Sequence, residues 1–170
     1  MSLPPIVVMG VSGCGKSTVA EALAARVSGG EFLDADAYHP AANVARMAAG
    51  HALTDVDRAP WLTAVGRAMG ESGSQGRTPF MACSALRRAY RMRILAEEPS
   101  AFFVLLDVSH AELARRLHER RGHYMPASLL GSQLATLEPL GADEPGIAVP
   151  IRGPKDQVVP AVLAAILARR

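Results

Sequence analysis

Residues Gly10-Val11-Ser12-Gly13-Cys14-Gly15-Lys16-Ser17 meet the spacing G-x-x-x-x-G-K-[ST] at every fixed position, and the flanking chain supplies the context that the pattern needs. Ile6-Val7-Val8-Met9 is a short apolar run of the kind that forms a buried parallel strand, and Thr18 to Val27 reads as a helix. Between them the glycines let the backbone curl so that successive N–H groups face one point, at the positive end of a helix dipole. Phosphate oxygens fit that point. Lys16 is long enough to reach the β- and γ-phosphates, and the Ser17 hydroxyl can ligate Mg²⁺. Gly10 through Thr18 is therefore the expected nucleoside triphosphate site. A glycine-rich turn that meets the pattern by accident would not be framed by strand and helix.

The rest of the chain repeats the same alternation, which argues for an α/β fold with helices on both faces of a parallel sheet. Glu31-Phe32-Leu33 is a short strand ending at Asp34. Residues 40–49 are helical in composition, and Trp61, Leu62, Val65 and Met69 share one face of a helix expected over Ala59 to Met69. Gly70 to Thr78 reads as a Gly/Ser break before the strand Pro79-Phe80-Met81-Ala82. Leu86, Tyr90 and Ile94 then recur every four residues. Ala101 to Leu106 is the clearest buried strand, Ser109 suits the N-cap of the helix after it, and Ile147-Ala148-Val149 is a weaker strand. The last helix carries Val158, Val159, Val162, Leu163, Ile166 and Leu167 as an apolar stripe. No repeat or linker divides the 170 residues, so one domain is expected over 1–170.

Several classes are disfavoured by composition. A net charge of +2 is too small to argue for nucleic acid, and no apolar stretch reaches the ~18 residues of a membrane span. The start, Met1-Ser2-Leu3-Pro4-Pro5, lacks the basic and apolar regions of a signal peptide. Cys14 and Cys83 make neither a disulfide framework nor a metal pair, and a reducing cytoplasm is expected. Cys14 lies inside the phosphate loop, where its oxidation would block nucleotide, although a small side chain that merely fits is the simpler account.

A phosphate loop names the nucleotide and not the acceptor. At the carboxyl end of the second strand stands Leu33-Asp34-Ala35-Asp36-Ala37-Tyr38-His39-Pro40, and ligands of open α/β sheets bind at that edge. Two carboxylates there can divide labour, one holding Mg²⁺ and the other accepting the proton of an attacking hydroxyl. A solvated turn capping the next helix would look the same. Further on, Arg115-Arg116-Leu117-His118-Glu119-Arg120-Arg121-Gly122-His123 concentrates arginine. It reads as a solvated helix face, as a segment closing over nucleotide, or as a nucleic-acid patch, the last disfavoured by the lack of interleaved aromatics.

These pieces resemble, in order along the chain, the gluconokinase family, small ATP-dependent kinases of D-gluconate related to shikimate kinase and more distantly to adenylate kinase. The resemblance is carried by the phosphate loop, Leu33-Asp34-Ala35-Asp36 with His39-Pro40, and Asn43, Met47, Gly50 and Leu53. It continues through Asp55, Asp57-Arg58 and Pro60-Trp61-Leu62, Cys83-Ser84-Ala85-Leu86-Arg87 with Tyr90-Arg91, and Arg120 with Gly122-His123. Ser132-Gln133, Leu137-Glu138 and Asp143-Glu144 complete the set. Shikimate kinases resemble it at the loop and the paired aspartates only. Departures are mild: Ala35 and Ala37 where bulkier residues or Gly are common, Leu134 where Phe is expected, and Cys14 in the loop.

The resemblance implies a P-loop NTPase fold, a parallel sheet of about five strands flanked by helices, with a small helical lid over about 115–140. It implies transfer of the ATP γ-phosphoryl group to the 6-hydroxyl of gluconate, with Mg²⁺. Lys16, Asp36 and Arg120 would be catalytic, with Asp36 beside the attacking hydroxyl and Arg120 on the transferring group. Ser17 and Asp34 would serve the metal, and Arg116 would lie nearer the adenine. Asp36, His39, Arg58, Ser84, Arg87 and His123 would meet the acceptor; which basic residue takes its carboxylate stays open, and Arg58 also reads as a helix-face arginine near Asp55. A homodimer is implied by relatives. The nearer rival is a kinase of another small hydroxy acid such as shikimate. A GTPase-like switch is the remote one: Asp143-Glu144-Pro145-Gly146 fits D-x-x-G but comes too late, and no Asn-Lys-x-Asp occurs.

Overall fold

A computed structural model describes residues 3–119, 127–153 and 155–169. Five strands, β1 (Ile6–Met9), β2 (Gly30–Asp34), β3 (Thr78–Ala82), β4 (Phe102–Asp107) and β5 (Gly146–Pro150), form one sheet in the order β2-β3-β1-β4-β5. Every pairing is parallel. The helices are α1 (Lys16–Ala24), α2 (Ala41–Ala48), α3 (Asp55–Ser74), α4 (Arg88–Glu97), α5 (His110–Glu119), α6 (Ala127–Thr136) and α7 (Lys155–Leu167).

The unbroken apolar strands follow from the sheet's two covered faces. Side chains alternate across a strand, so Ile6 and Val8 enter one core with Phe80, Val104, Leu23 and Val162, while Val7 and Met9 enter another with Met81, Phe103, Trp61, Leu62 and Ile94. All four side chains of β1 are buried from solvent. Because the strands run the same way, Met9, Asp34, Ala82, Asp107 and Pro150 end at one edge of the sheet, and the loops that follow them converge there.

Two helices differ from the sequence expectation. α1 starts at Lys16 rather than Thr18, directly out of the phosphate loop, and ends at Ala24. α3 starts at Asp55 and runs through Gly70 to Ser74. Its start is fixed by a capping box, in which Thr54 Oγ1 accepts from Asp57 N–H at 3.2 Å and Asp57 Oδ2 accepts from Thr54 N–H at 2.8 Å. Its last turn survives two glycines because it docks: Ser72 is buried and its hydroxyl donates to Glu31 Oε2 on β2 at 2.5 Å. Packing there overrides helix propensity. Among the described residues, no helix is long and apolar enough to cross a membrane.

Candidate active site

The phosphate loop is built by its glycines. Gly10, Gly13 and Gly15 all have φ in the left-handed region, at 145°, 85° and 96°. At Gly10 a side chain is excluded twice over, since a Cβ would sit 2.8 Å from Cys14 Sγ and 3.3 Å from the Leu106 carbonyl oxygen. Val11 and Cys14 point inward and are buried, which leaves the Ser17 and Thr18 side chains exposed at the start of α1. Gly15 caps α1 without a side-chain partner, so its first amides are open to an anion. Lys16 folds back over the loop, its Nζ donating to the Val11 carbonyl at 3.2 Å. Burial pushes the Cys14 thiol above its ordinary pKa, which keeps it protonated and speaks against a reactive thiolate in the loop.

Beside the loop opens a cavity of about 370 Å³, walled by Gly13, Gly15 and Thr18, by Arg116 on α5, and by Ile151, Val158 and Val159. The apolar wall and the guanidinium suit a flat aromatic base. Arg116 is held in place twice. Its Nε donates to Glu112 Oε1 at 2.7 Å and its Nη1 to the Cys14 carbonyl at 3.3 Å. Hydrogen bonds from Arg115 and Arg116 pull the Glu112 carboxyl down to about 2.

On the other side of the loop lies a polar hollow. Asp34 closes β2 and its Oδ1 accepts from Asp36 N–H at 3.0 Å, so the turn-capping role expected for a solvated pair is present, and Asp36 keeps its own carboxylate exposed. Lys16, Asp36 and Asp34 all lie near enough to act electrostatically on the Cys83 thiol, which burial pushes up to about 12. The short 3₁₀ turn Ala35–Tyr38 is pinned by Trp61, whose Nε1 donates to the Ala35 carbonyl at 2.7 Å. His39 stacks on Trp61, ring centroids 4.2 Å apart and planes 14° from parallel. Burial lowers the His39 pKa below its ordinary value, against the pull of Asp36 and with the repulsion of Arg58. Asn43 Nδ2 reaches His39 Nδ1 at 3.4 Å and donates to the Asp57 carbonyl at 2.8 Å.

Arg58 enters this hollow from the first turns of α3. Its Nη2 donates to the Leu53 carbonyl at 3.2 Å and its Cζ lies 5.6 Å over the Tyr90 ring, yet its Nε is the buried side-chain polar atom that has no partner among the described residues. Arg87 lies 5.9 Å from the same ring and pairs with Asp55 at 3.2 Å, and Tyr90 donates its hydroxyl to the other Asp55 oxygen at 2.5 Å. Arg87 is thus committed where Arg58 is not. Ser84 joins the two halves: its carbonyl accepts from Gly10 N–H at 3.3 Å. Ala85 next to it has φ 44°, a left-handed conformation that costs a non-glycine residue about 1 kcal/mol or more.

The structure therefore brings Lys16, Ser17, Thr18, Asp34, Asp36, His39, Arg58 and Ser84 to one edge of the sheet, with Arg116 over the nucleotide side and Arg87 at the rim. Arg120 and His123 lie outside the described residues. Sequence reasoning missed Glu112, which sits four residues before Arg116 on α5, and the Ile151, Val158 and Val159 wall, whose apolar residues look like ordinary core. It also left Gln133 without a role, although Gln133 Oε1 accepts from Ser12 N–H at 2.6 Å.

Over residues 6–140 the chain matches the family described as AAA domain. A gluconokinase of Gluconobacter oxydans (strain 621H) is 52% identical over 151 residues, which cover 88% of this chain and 84% of that protein. The crystal structure of a gluconokinase from Sinorhizobium meliloti 1021 superposes with a TM-score of 0.84 at 42% identity, over 98% of this chain and 93% of that one. A shikimate kinase from Acinetobacter baumannii, solved with shikimate, shares the fold with a TM-score of 0.60 over 99% of this chain and 96% of its own, but only 17% of the sequence. On a P-loop kinase fold, the chain belongs to the gluconokinase family.

Proposed function

We propose that this protein transfers the γ-phosphoryl group of ATP to the 6-hydroxyl of D-gluconate, releasing ADP and 6-phosphogluconate. The observation that carries the reading is the junction at Gly10 and Ser84, where the phosphate loop and the loop after β3 share a hydrogen bond at 3.3 Å. A nucleotide on one side and a polyol on the other then meet end to end, which converts a bimolecular encounter into a positioned one.

The residue roles follow from placement. Lys16 leaves the Val11 carbonyl for the β- and γ-phosphates, supplying charge where it accumulates during transfer. Asp36 presents an exposed carboxylate in the turn after β2 and takes the proton of the attacking hydroxyl. Arg58, which is bonded to the Leu53 carbonyl but to no carboxylate among the described residues, takes the acceptor's carboxylate, and the bond of Arg87 to Asp55 makes it a weaker competitor for that task. His39, stacked on Trp61, offers its ring edge to a hydroxyl. Ser17 and Asp34 provide hydroxyl and carboxylate oxygens, a donor set that fits Mg²⁺, which when bound would offset the negative charge of the phosphates. Arg120 and His123 are assigned by the family resemblance alone.

The test is ADP release by the purified protein with MgATP, with gluconate, with shikimate and with water as the sole acceptor. Stimulation by gluconate alone is the expected result. Stimulation by shikimate instead, or equal release with no acceptor, would overturn the reading.

A further inference from the structure

Gln133 occupies a position that an amide has no packing reason to hold. Leu130, Leu134 and Leu137 form the inward stripe of α6 and the turn after it, Leu130 buried and the other two packed against the core. Gln133 falls on that stripe, at the i, i+3, i+4, i+7 spacing of the leucines. Gln133 is half-buried there, so part of its amide is turned from water and is best served by a protein partner. One is found: Oε1 accepts from Ser12 N–H at 2.6 Å across 121 residues of chain. Because Ser12 N–H can only donate, the amide orientation is fixed, with oxygen on the loop and nitrogen beside it. Nε2 makes no hydrogen bond to the described residues.

The location gives that nitrogen its meaning. Gly13, Gly15 and Thr18 line the nucleotide cavity, whereas Gly10 touches Ser84 on the acceptor side. Ser12 lies between them along the loop, and on the kinase reading the phosphoryl group passes from donor to acceptor beside it. The arm carrying Gln133 is also firmly held. Leu137 N–H donates to the Gln133 carbonyl at 2.9 Å, Glu138 N–H to the Leu86 carbonyl at 2.8 Å, and the Glu138 carboxylate accepts from Arg88 N–H at 2.6 Å.

We propose that Gln133 is a γ-phosphate-binding residue: its Oε1 is pinned by Ser12 N–H so that its Nε2 donates to the transferring phosphoryl group. This rests on the kinase reading above. An amide so placed reads whether a third phosphate is present, and it contributes to ATP binding without contributing to ADP binding.

The experiment measures affinities of the full chain for MgADP and for a non-hydrolysable ATP analogue with Mg²⁺, in wild type, Gln133→Leu and Gln133→Glu. Gln133→Glu still offers an oxygen to Ser12 N–H but removes the donor, so it preserves the loop contact while testing the phosphate contact. Both variants are expected to weaken the analogue about tenfold or more while ADP stays within about twofold, since a hydrogen bond to a charged group is lost for one ligand only. Equal weakening of both nucleotides, or a Gln133→Glu protein with wild-type discrimination, would overturn the proposal and leave Gln133 as a loop support. A wild-type chain that binds neither nucleotide would instead overturn the kinase reading itself.

Discussion

Arg91 and Glu144 form a two-pronged ion pair sealed from water, Nε donating to Oε1 at 2.6 Å and Nη2 to Oε2 at 2.9 Å, with the arginine fully buried. The guanidinium is not spent on that carboxylate alone. Nη1 also donates to the carbonyls of Ala85, Leu86 and Glu138, and Nη2 to that of Pro139. One side chain thus braces the strained loop after β3 and the arm that returns from α6.

Taking two charges out of water is costly, and their mutual attraction repays it only while both are present. Glu144→Gln is therefore expected to destabilise the fold by about 3–5 kcal/mol, as read from urea unfolding. The double replacement Arg91→Met with Glu144→Leu should cost less than the two singles added. The hydrogen bonds from Arg91 hold the Glu144 carboxyl below its ordinary pKa, so its contribution is present above that ordinary value and lost as pH falls through the lowered one. Additive singles would show that the two residues act independently.

Asp36→Asn removes the carboxylate proposed to accept the proton and little else, because the backbone N–H of Asp36, not its carboxylate, serves the turn. Turnover should fall by about 10²-fold or more with ATP binding largely kept. Lys16→Ala should weaken nucleotide binding and transfer together. Unchanged kcat in the asparagine variant would take Asp36 out of the chemistry.

The two arginines over Tyr90 should separate in a steady-state assay. Arg58→Ala is expected to raise KM for gluconate by about 10-fold or more, since it removes a charge-assisted contact. Arg87→Ala, losing a side chain already paired with Asp55, should change KM by less. The reverse order would transfer the carboxylate to Arg87.

His39 gives the polar hollow a pH dependence with a definite sign. Its Nδ1 faces an Asn43 amide group and burial disfavours its charged form, so folding favours the neutral ring. Its contribution is present above the ordinary value of 6.5 and is lost as pH falls from there through the lowered pKa. Unfolding midpoints followed from pH 7.5 to 5 should fall more steeply for wild type than for His39→Gln. Parallel curves would remove His39 as the source.

How much of this was legible in the residues depends on the range of the interaction. The phosphate loop, the strands and the edge at which Asp34 and Asp36 stand follow from local pattern, because periodicity and glycine spacing are local properties. The continuation of α3 through Gly70 was not legible, as it depends on Ser72 reaching Glu31 across 41 residues. Nor was the pairing of Arg91 with Glu144: both belong to the resemblance, but spacing alone does not join them. Gln133 did leave a local trace, a polar residue on an apolar helical stripe, whose meaning needed Ser12 beside it.

Trp61 is the chain's single tryptophan. With its indole nitrogen on the backbone next to Asp36 and its face against His39, all near-ultraviolet tryptophan emission originates in the polar hollow proposed to hold the acceptor. The molecule therefore carries an intrinsic optical probe in that hollow, and binding of the proposed acceptor there is expected to change its emission, readable by fluorescence titration without a label and without turnover.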